Sequence, residues 1–214
     1  GVISIGLIES SMLWMPEILI EFQKLNPHTR VKLLEVLSLK EVGEALGNFE
    51  IHLAITNQII KNEDIQTRPI YRERLIAFLP LEHPMTNQKA VQLEDLAKEN
   101  LIICREGFQS REDILRAFRE RGIEPNIQFE IERFETAARL VDKNLGITIL
   151  PENYIHYAGL SSIAKPIADG DIERTVYLAY VKNRYLSPMV WQFFGLVNQF
   201  FNHSTKDKLD SLLK

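Results

Sequence analysis

Residues 2–46 read VISIGLIESSMLWMPEILIEFQKLNPHTRVKLLEVLSLKEVGEAL, and this stretch decides the fold. Val2 to Ile8 is an apolar run of strand length that ends in Glu9-Ser10-Ser11. Met15, Ile18, Leu19, Phe22 and Leu25 then recur at helical spacing. Pro16 falls in the first turn of that helix, where a proline is tolerated, and Asn26-Pro27-His28 closes it. Val31 to Val36 is a second strand. Ser38 and Glu41 have the spacing of a capping box, which opens a helix with Leu39, Val42 and Leu46 on its apolar face. Gly47 is its expected stop. Ile51 to Ile55 is a third short strand. Strands alternating with helices predict a parallel sheet with right-handed crossovers.

The pattern pauses and then restarts. Asn57 to Asp64 reads as a polar loop, and Ile65 to Tyr71 and Leu75 to Pro80 as two extended segments. Leu81 to Ala90 is irregular, and Leu93 to Ala97 has room for one helical turn. Asn100 to Cys104 is a strand, followed by the loop Arg105 to Gln109. Ser110, with Asp113 three residues on, is expected to cap a helix that Gly122 ends. Ile127 to Ile131 is a strand, Glu135 to Lys143 a helix, and Gly146 to Pro151 a strand stopped by proline. A short helix is expected through Tyr157. Ser162 to Pro166 and Thr175 to Val181 are further strands. Ser187-Pro188 starts a last helix with Val190, Phe194, Val197 and Phe201 on its core face. The tail from Asn202 to Lys214 is mostly polar. Strand, serine turn and helix thus occur near residues 2–25 and again near 100–121. This echo predicts two similar α/β lobes with a ligand cleft between them.

Composition removes several function classes. With 214 residues, 45% of them hydrophobic and 25% charged, the chain is an ordinary globular one that can bury its own core. Its single cysteine, Cys104, excludes an internal disulfide and a cysteine-based metal site, and fits a reducing compartment. A net charge of −4 gives these residues no electrostatic reason to hold a polyanion. No apolar run reaches the roughly 20 residues of a membrane span. Neither a signal peptide nor an initiator methionine precedes the first strand, so a fragment or processed form is expected.

No catalytic pattern emerges. His28, His52, His83, His156 and His203 lie in no nucleophile motif, and there is no Gly-x-Ser-x-Gly turn. No histidine or carboxylate pair has metal-ligand spacing, and the glycines form no phosphate-binding loop. Cys104 beside Arg105 reads as a small buried hydrophobe rather than a reactive thiol. No metal, no cofactor and no enzymatic activity are expected. Binding remains. At the carboxyl ends of parallel strands, helix N-termini present free N–H groups and partial positive charge. Ser10, Ser11, Ser38 and Ser110 add hydroxyls there, while Glu9 opposes a purely anionic ligand.

Six strings, in this order, resemble the effector-binding domain of LysR-type transcriptional regulators. They are ISIGLIESSMLWMPEILIEFQKLNPHTRVKLLE, SLKEVGEALGNFEIHLAI, RPIYRERLIAFLPLEHPM, LEDLAKENLIIC, EGFQSREDILRAFRERGIEPNIQFE and FETAARLVDKNLGITILP. They cover about residues 1–185, and His83-Pro84 and the Leu-Gly-Ile-x-Ile-Leu-Pro string are the best markers. The resemblance implies an α/β fold of two Rossmann-like lobes joined by two crossover strands, like type 2 periplasmic binding proteins. Lobe I would be residues 1–71 plus 176–214, and lobe II residues 72–175. It also implies a small effector held by Glu9, Ser10, Ser11, Met12, Ser38, Thr56 and Asn57 of lobe I, with Arg105, Phe108 and Ser110 of lobe II. A homodimer or homotetramer is implied, with the first helix and second strand as interface candidates. DNA contact would be made only by a helix-turn-helix that precedes this region, and the location would be cytoplasmic with no membrane contact. His52 stands where the family commonly has aspartate, and Glu9 where many members have a small or polar residue. The alternative is a free-standing periplasmic-type solute-binding protein, against which the lack of a signal or lipoprotein cysteine argues.

Overall fold

The computed structural model describes residues 1–156 and 161–202. The elements run β1 (Val2–Leu7), α1 (Met15–Leu25), β2 (Arg30–Glu35), α2 (Leu39–Gly47), β3 (Leu53–Thr56), β4 (Ile65–Leu79), α3 (Leu93–Leu96) and β5 (Leu101–Cys104). They continue as α4 (Gln109–Glu120), β6 (Ile127–Ile131), α5 (Phe134–Asp142), β7 (Ile147–Pro151), β8 (Ile163–Lys165), β9 (Ile172–Val181) and α6 (Pro188–Asn202). The chain divides into two compact units: unit 1 is Gly1–Arg72 with the chain from Thr175 onward, and unit 2 is Glu73–Arg174. β4 and β9 each run through a unit boundary.

In unit 1 the strand order is β2-β1-β3-β9. β1 is parallel to β2 and β3, and β9 is antiparallel to β3. Strand side chains alternate between faces. Ile3, Ile5 and Leu7 of β1, with Leu53 and Ile55 of β3, pack against Ile18 and Phe22 of α1 and Phe193 and Val197 of α6. On the opposite face Val42 and Leu46 of α2 pack against Ala54 and Ala179. A parallel strand covered by helices on both sides is apolar along most of its length, and in β1 Ser4 is the one polar side chain, buried with its neighbours. Unit 2 has the order β4-β7-β5-β6, with β8 pairing β4. β5 is parallel to β6 and β7. Leu75, Leu101, Ile103, Ile147 and Ile149 form its core with Ile114 and Phe118 of α4. The Thr148 hydroxyl donates to the Ile102 carbonyl at 2.7 Å, so this polar side chain is satisfied inside the strand layer.

Several expectations need correction. The extended segments at 65–71 and 75–80 are one continuous strand, β4. β9 starts at Ile172, three residues before the expected start. The passage from β1 to α1 is a 3-10 turn, Glu9–Leu13, and neither N-cap residue, Ile8 or Trp14, makes a side-chain capping bond. Ser110 does not cap α4, whose N-cap is Phe108, and it lies inside the first turn. α2 includes Gly47, and the left-handed residue after it is Phe49, with φ 61°. The 81–90 segment contains a 3-10 turn, Pro84–Asn87, in which His83 Nδ1 accepts the Met85 N–H at 3.2 Å. Tyr157, His203 and the tail after Asn202 lie outside the described residues.

His52 is tied to β1 through both its ring and its backbone. Its Nδ1 accepts the Ser4 N–H at 2.9 Å, and its own N–H donates to the Ser4 carbonyl at 2.8 Å. Burial pushes its pKa down, and nearby Arg184 adds to the shift against the opposing Ser4 hydrogen bond. Nδ1 must be unprotonated to accept. Protons therefore bind the unfolded chain more readily once pH falls below the ordinary histidine range of about 6.5. The contribution of His52 is fully present above that pH and is lost as pH falls toward the folded pKa. His52→Asn keeps an acceptor and removes the titration. Between pH 7.5 and 5.5 it is expected to lose less thermal stability than the wild type. Parallel melting curves for the two proteins would refute this assignment.

Candidate functional site

In unit 1 the parallel register fixes one polar edge. Leu7 is opposite Glu35, and Gly6 is opposite both Leu34 and Ala54. β1, β2 and β3 therefore end at the same side of the sheet, and the chain leaves them at Glu9, Ser38 and Asn57. Glu9, Ser10, Ser11, Ser38, Thr56, Asn57 and Gln58 are all buried there. Burial of this many polar groups requires local partners. Ser38 Oγ accepts the Glu41 N–H at 3.2 Å, and Glu41 Oε2 accepts the Ser38 N–H at 2.8 Å, which completes the expected capping box. Thr56 Oγ1 accepts the Gln58 N–H at 3.0 Å, and Gln58 Nε2 donates to Asn57 Oδ1 at 2.9 Å. Ser11 Oγ donates to the Ile8 carbonyl at 2.7 Å and so serves its own turn. Met12 is 41% exposed on that turn.

Unit 2 has an equivalent edge where β5, β6 and β7 end. Gly107, with φ 92°, makes the sharp turn that a side chain would resist. Arg105 lies exposed there, pairs with Glu132 at 2.7 Å and stacks over the Phe108 ring at 4.9 Å. Phe108 is buried and supplies no side-chain acceptor to the start of α4. The Ser110 hydroxyl accepts a short hydrogen bond from Arg174 Nη1. Arg174 Nε donates to Glu73 Oε1 at 2.7 Å, and its guanidinium lies 5.9 Å from the centre of the Phe134 ring. The Arg174 and Glu73 side chains are 3% and 6% exposed.

The expected site residues thus fall on two edges, each inside its own unit: Glu9 to Met12, Ser38, Thr56 and Asn57 in unit 1, and Arg105, Phe108 and Ser110 in unit 2. The sequence reading missed Gln58, Glu73 and Arg174. The strand parity carried a signal for the last two. Glu73 falls in the inward series Tyr71, Leu75, Ala77, and Arg174 in the inward series Ile172, Val176, Leu178. Opposite charges in buried registers of two strands are a pair in search of each other. An open groove in unit 1, lined by Gly1, Asn26, Ser187, Pro188, Met189, Trp191 and Gln192, lies where β1 begins. It offers no ionisable side chain and is at the opposite end of the strand from the polar edge. Among the described residues no three His, Cys, Asp or Glu are placed to hold a metal ion, and no helix is long and apolar enough to cross a membrane.

Comparison with known proteins gives a consistent picture. The family model of the LysR substrate binding domain matches residues 1–202. The transcriptional dual regulator GltC of Bacillus subtilis is 32% identical over 190 residues, which are 88% of this chain and 63% of GltC. The chain therefore spans less than two thirds of that relative. Among solved structures, the effector-binding domain of QuiR in complex with shikimate superposes with a TM-score of 0.84 at 24% identity, covering 94% of this chain and 97% of that one. The BenM effector-binding domain with its effector benzoate gives 0.80 at 23% identity, covering 94% and 92%. These two likenesses establish the fold, that of LysR effector-binding domains, which the sequence strings had implied.

Proposed function

Because the chain belongs to the LysR substrate-binding domain family, we propose that it is the effector-sensing and oligomerisation module of a bacterial transcriptional regulator. Its two units serve as regulatory lobes I and II, and DNA is bound by a helix-turn-helix outside these residues. The function is binding without turnover, in the cytoplasm. The ligand is a small molecule recognised by Glu9, Ser10, Ser11, Met12, Ser38, Thr56 and Asn57 of one lobe and Arg105, Phe108 and Ser110 of the other. The observation that carries this reading is the buried polar edge of unit 1, where three parallel strands deliver hydroxyl and amide groups to one side. A ligand regulates only by favouring one arrangement of the protein over another. Homodimer formation is supported by β2, which is the edge strand of unit 1 with Leu33 exposed, and by the exposed Ile20 and Leu25 of α1.

A thermal-shift screen of organic acids, amino acids and aromatic acids identifies ligands, and Ser10→Ala with Ser38→Ala tests the site. Loss of the Ser38 cap lowers stability by about 1 kcal/mol, so the double variant stays folded. Its response to any ligand that stabilises the wild type is expected to fall at least tenfold in affinity. Calorimetry showing the wild-type affinity in the double variant would remove these residues from the site.

A further inference from the structure

Thr56, Asn57 and Gln58 are three consecutive buried polar residues, and each fixes the next in a set order. Thr56 is the last residue of β3 and lies in the antiparallel ladder opposite Tyr177 of β9. Its Oγ1 accepts the Gln58 N–H at 3.0 Å, so the sheet sets the backbone at Gln58. The Gln58 side chain then turns back, and its Nε2 donates to Asn57 Oδ1 at 2.9 Å. Thr56 has no exposed surface and Gln58 only 2%, while Asn57 keeps 7%, so the three residues meet solvent at Asn57. A primary amide has two ends of opposite polarity, a carbonyl that accepts and an NH2 that donates. Among the described residues the Asn57 side chain makes its one hydrogen bond to Gln58, through the carbonyl end. With Oδ1 held, the planar group points Nδ2 the other way. Turning the Asn57 amide alone would set its NH2 against the Gln58 NH2 and leave buried donors unanswered.

We infer that Gln58 is a positioning residue that fixes the Asn57 amide with its N–H outward. The unit 1 edge therefore offers a donor, and no acceptor, at Asn57. This rests on the effector-sensing reading and deepens it, because it names a specificity-determining residue outside the expected contact set that touches no ligand itself. The effector must bring an acceptor to Asn57, such as a hydroxyl, carbonyl or ring nitrogen. A group that can only donate is rejected there, since two donors desolvated against each other are both left without a partner. A serine hydroxyl on the same edge rotates to suit either kind of group. A pinned amide does not, so the discrimination falls to Gln58 and Asn57.

The test uses the whole chain labelled with nitrogen-15, without ligand, and reads the exchange of the side-chain amide protons with water. In the wild type the bonded Gln58 Nε2 proton is expected to exchange at least tenfold more slowly than the Asn57 Nδ2 protons. Equal rates, or slower exchange at Asn57, overturn the inference, because both amides would then be free or reversed. Gln58→Glu is measured at pH 8, well above the ordinary glutamate pKa of about 4.3. Its carboxylate can only accept, so it should draw the Asn57 NH2 inward and slow one Nδ2 proton at least tenfold relative to the wild type. A residue that merely filled space at Gln58 would cause no such reversal, and its absence refutes the positioning role. Gln58→Met carries the test if Gln58→Glu does not fold. It removes the partner, and the Asn57 Nδ2 signals are expected to move toward those of an unstructured asparagine, whereas unchanged signals count against the inference. None of these readouts needs an effector, so a failed exchange pattern leaves effector sensing standing. If the pattern holds but no ligand depends on Ser10 and Ser38, the unit 1 contact set fails and the orientation of Asn57 stands.

Discussion

Trp14→Ala is expected to destabilise unit 1 by about 3–5 kcal/mol, the range for removing a fully buried large aromatic, and to lower its melting temperature by roughly 10 °C or more. Trp14 has no exposed surface. Its Nε1–H donates to the Tyr71 hydroxyl at 3.1 Å. Its ring meets Phe201 edge-on at 4.9 Å and Tyr71 edge-on at 5.9 Å, and stacks on Phe200 at 6.3 Å. It is both the residue after the 3-10 turn and the N-cap of α1. One side chain therefore pins the turn that carries Glu9, Ser10 and Ser11 onto β4 and α6. The variant should lose ligand response along with stability, because the polar edge loses its anchor. Trp14→Phe keeps most of the packing and gives up one hydrogen bond, so a smaller loss of about 1–2 kcal/mol is expected. Urea unfolding followed by circular dichroism separates the two variants. A change below about 1 kcal/mol for Trp14→Ala would show that the aromatic cluster repacks without it.

Legibility in the sequence followed the range of the forces involved. β1, α1, β2 and α2 were readable because apolar period, capping residues and turn residues all act within a few positions. The Ser38 capping box is such a case, with both of its bonds made inside four residues. Ser110 has similar local chemistry, a serine followed three residues later by Asp113, yet it caps nothing. Its hydroxyl is claimed by Arg174, 64 positions away. β4 failed differently. Arg72, Glu73 and Arg74 look like a polar break between two strands, but Glu73 is held in an inward register by Arg174, and the strand runs through. His52 shows the reverse: no motif singled it out, yet its imidazole nitrogen ties the start of β3 to β1 by accepting the Ser4 N–H. The unit 1 half of the candidate site was legible to the extent that it follows from parallel strands ending together. The Glu73–Arg174 pair needed the tertiary structure, because only the packed sheet brings two distant strands to one point.

Gly146→Ala is expected to cost about 3 kcal/mol, at the upper end for overpacking, although alanine is one methyl larger and the site is not a left-handed turn. A Cβ at 146 would lie 2.3 Å from the Asn100 carbonyl oxygen and 3.2 Å from its carbon. That carbonyl already accepts the Ile147 N–H at 2.9 Å, at the head of the β5–β7 pairing. Backbone held in a parallel ladder cannot step aside as a side chain can. Gly6 is the control. A Cβ there would meet Val36 Cγ2 at 2.6 Å and Ile51 Cδ1 at 2.7 Å. These are side-chain ends, which can shift, so Gly6→Ala should cost less. The two variants also differ in where the damage falls, since Gly6 is in unit 1 and Gly146 in unit 2. Both tryptophans, Trp14 and Trp191, belong to unit 1. Tryptophan fluorescence therefore follows unit 1, while circular dichroism follows both units. A chain of two compact units need not unfold in a single step, so the two signals are read separately. For Gly146→Ala the dichroism transition is expected to move to lower urea, with the larger displacement in the part of the signal that fluorescence does not follow. For Gly6→Ala the fluorescence transition should move with it. A Gly146→Ala protein with the wild-type dichroism midpoint would mean that β5 and β7 can separate at Asn100 without loss. The close backbone approach would then not be what requires glycine in the Leu-Gly-Ile-Thr-Ile-Leu-Pro string.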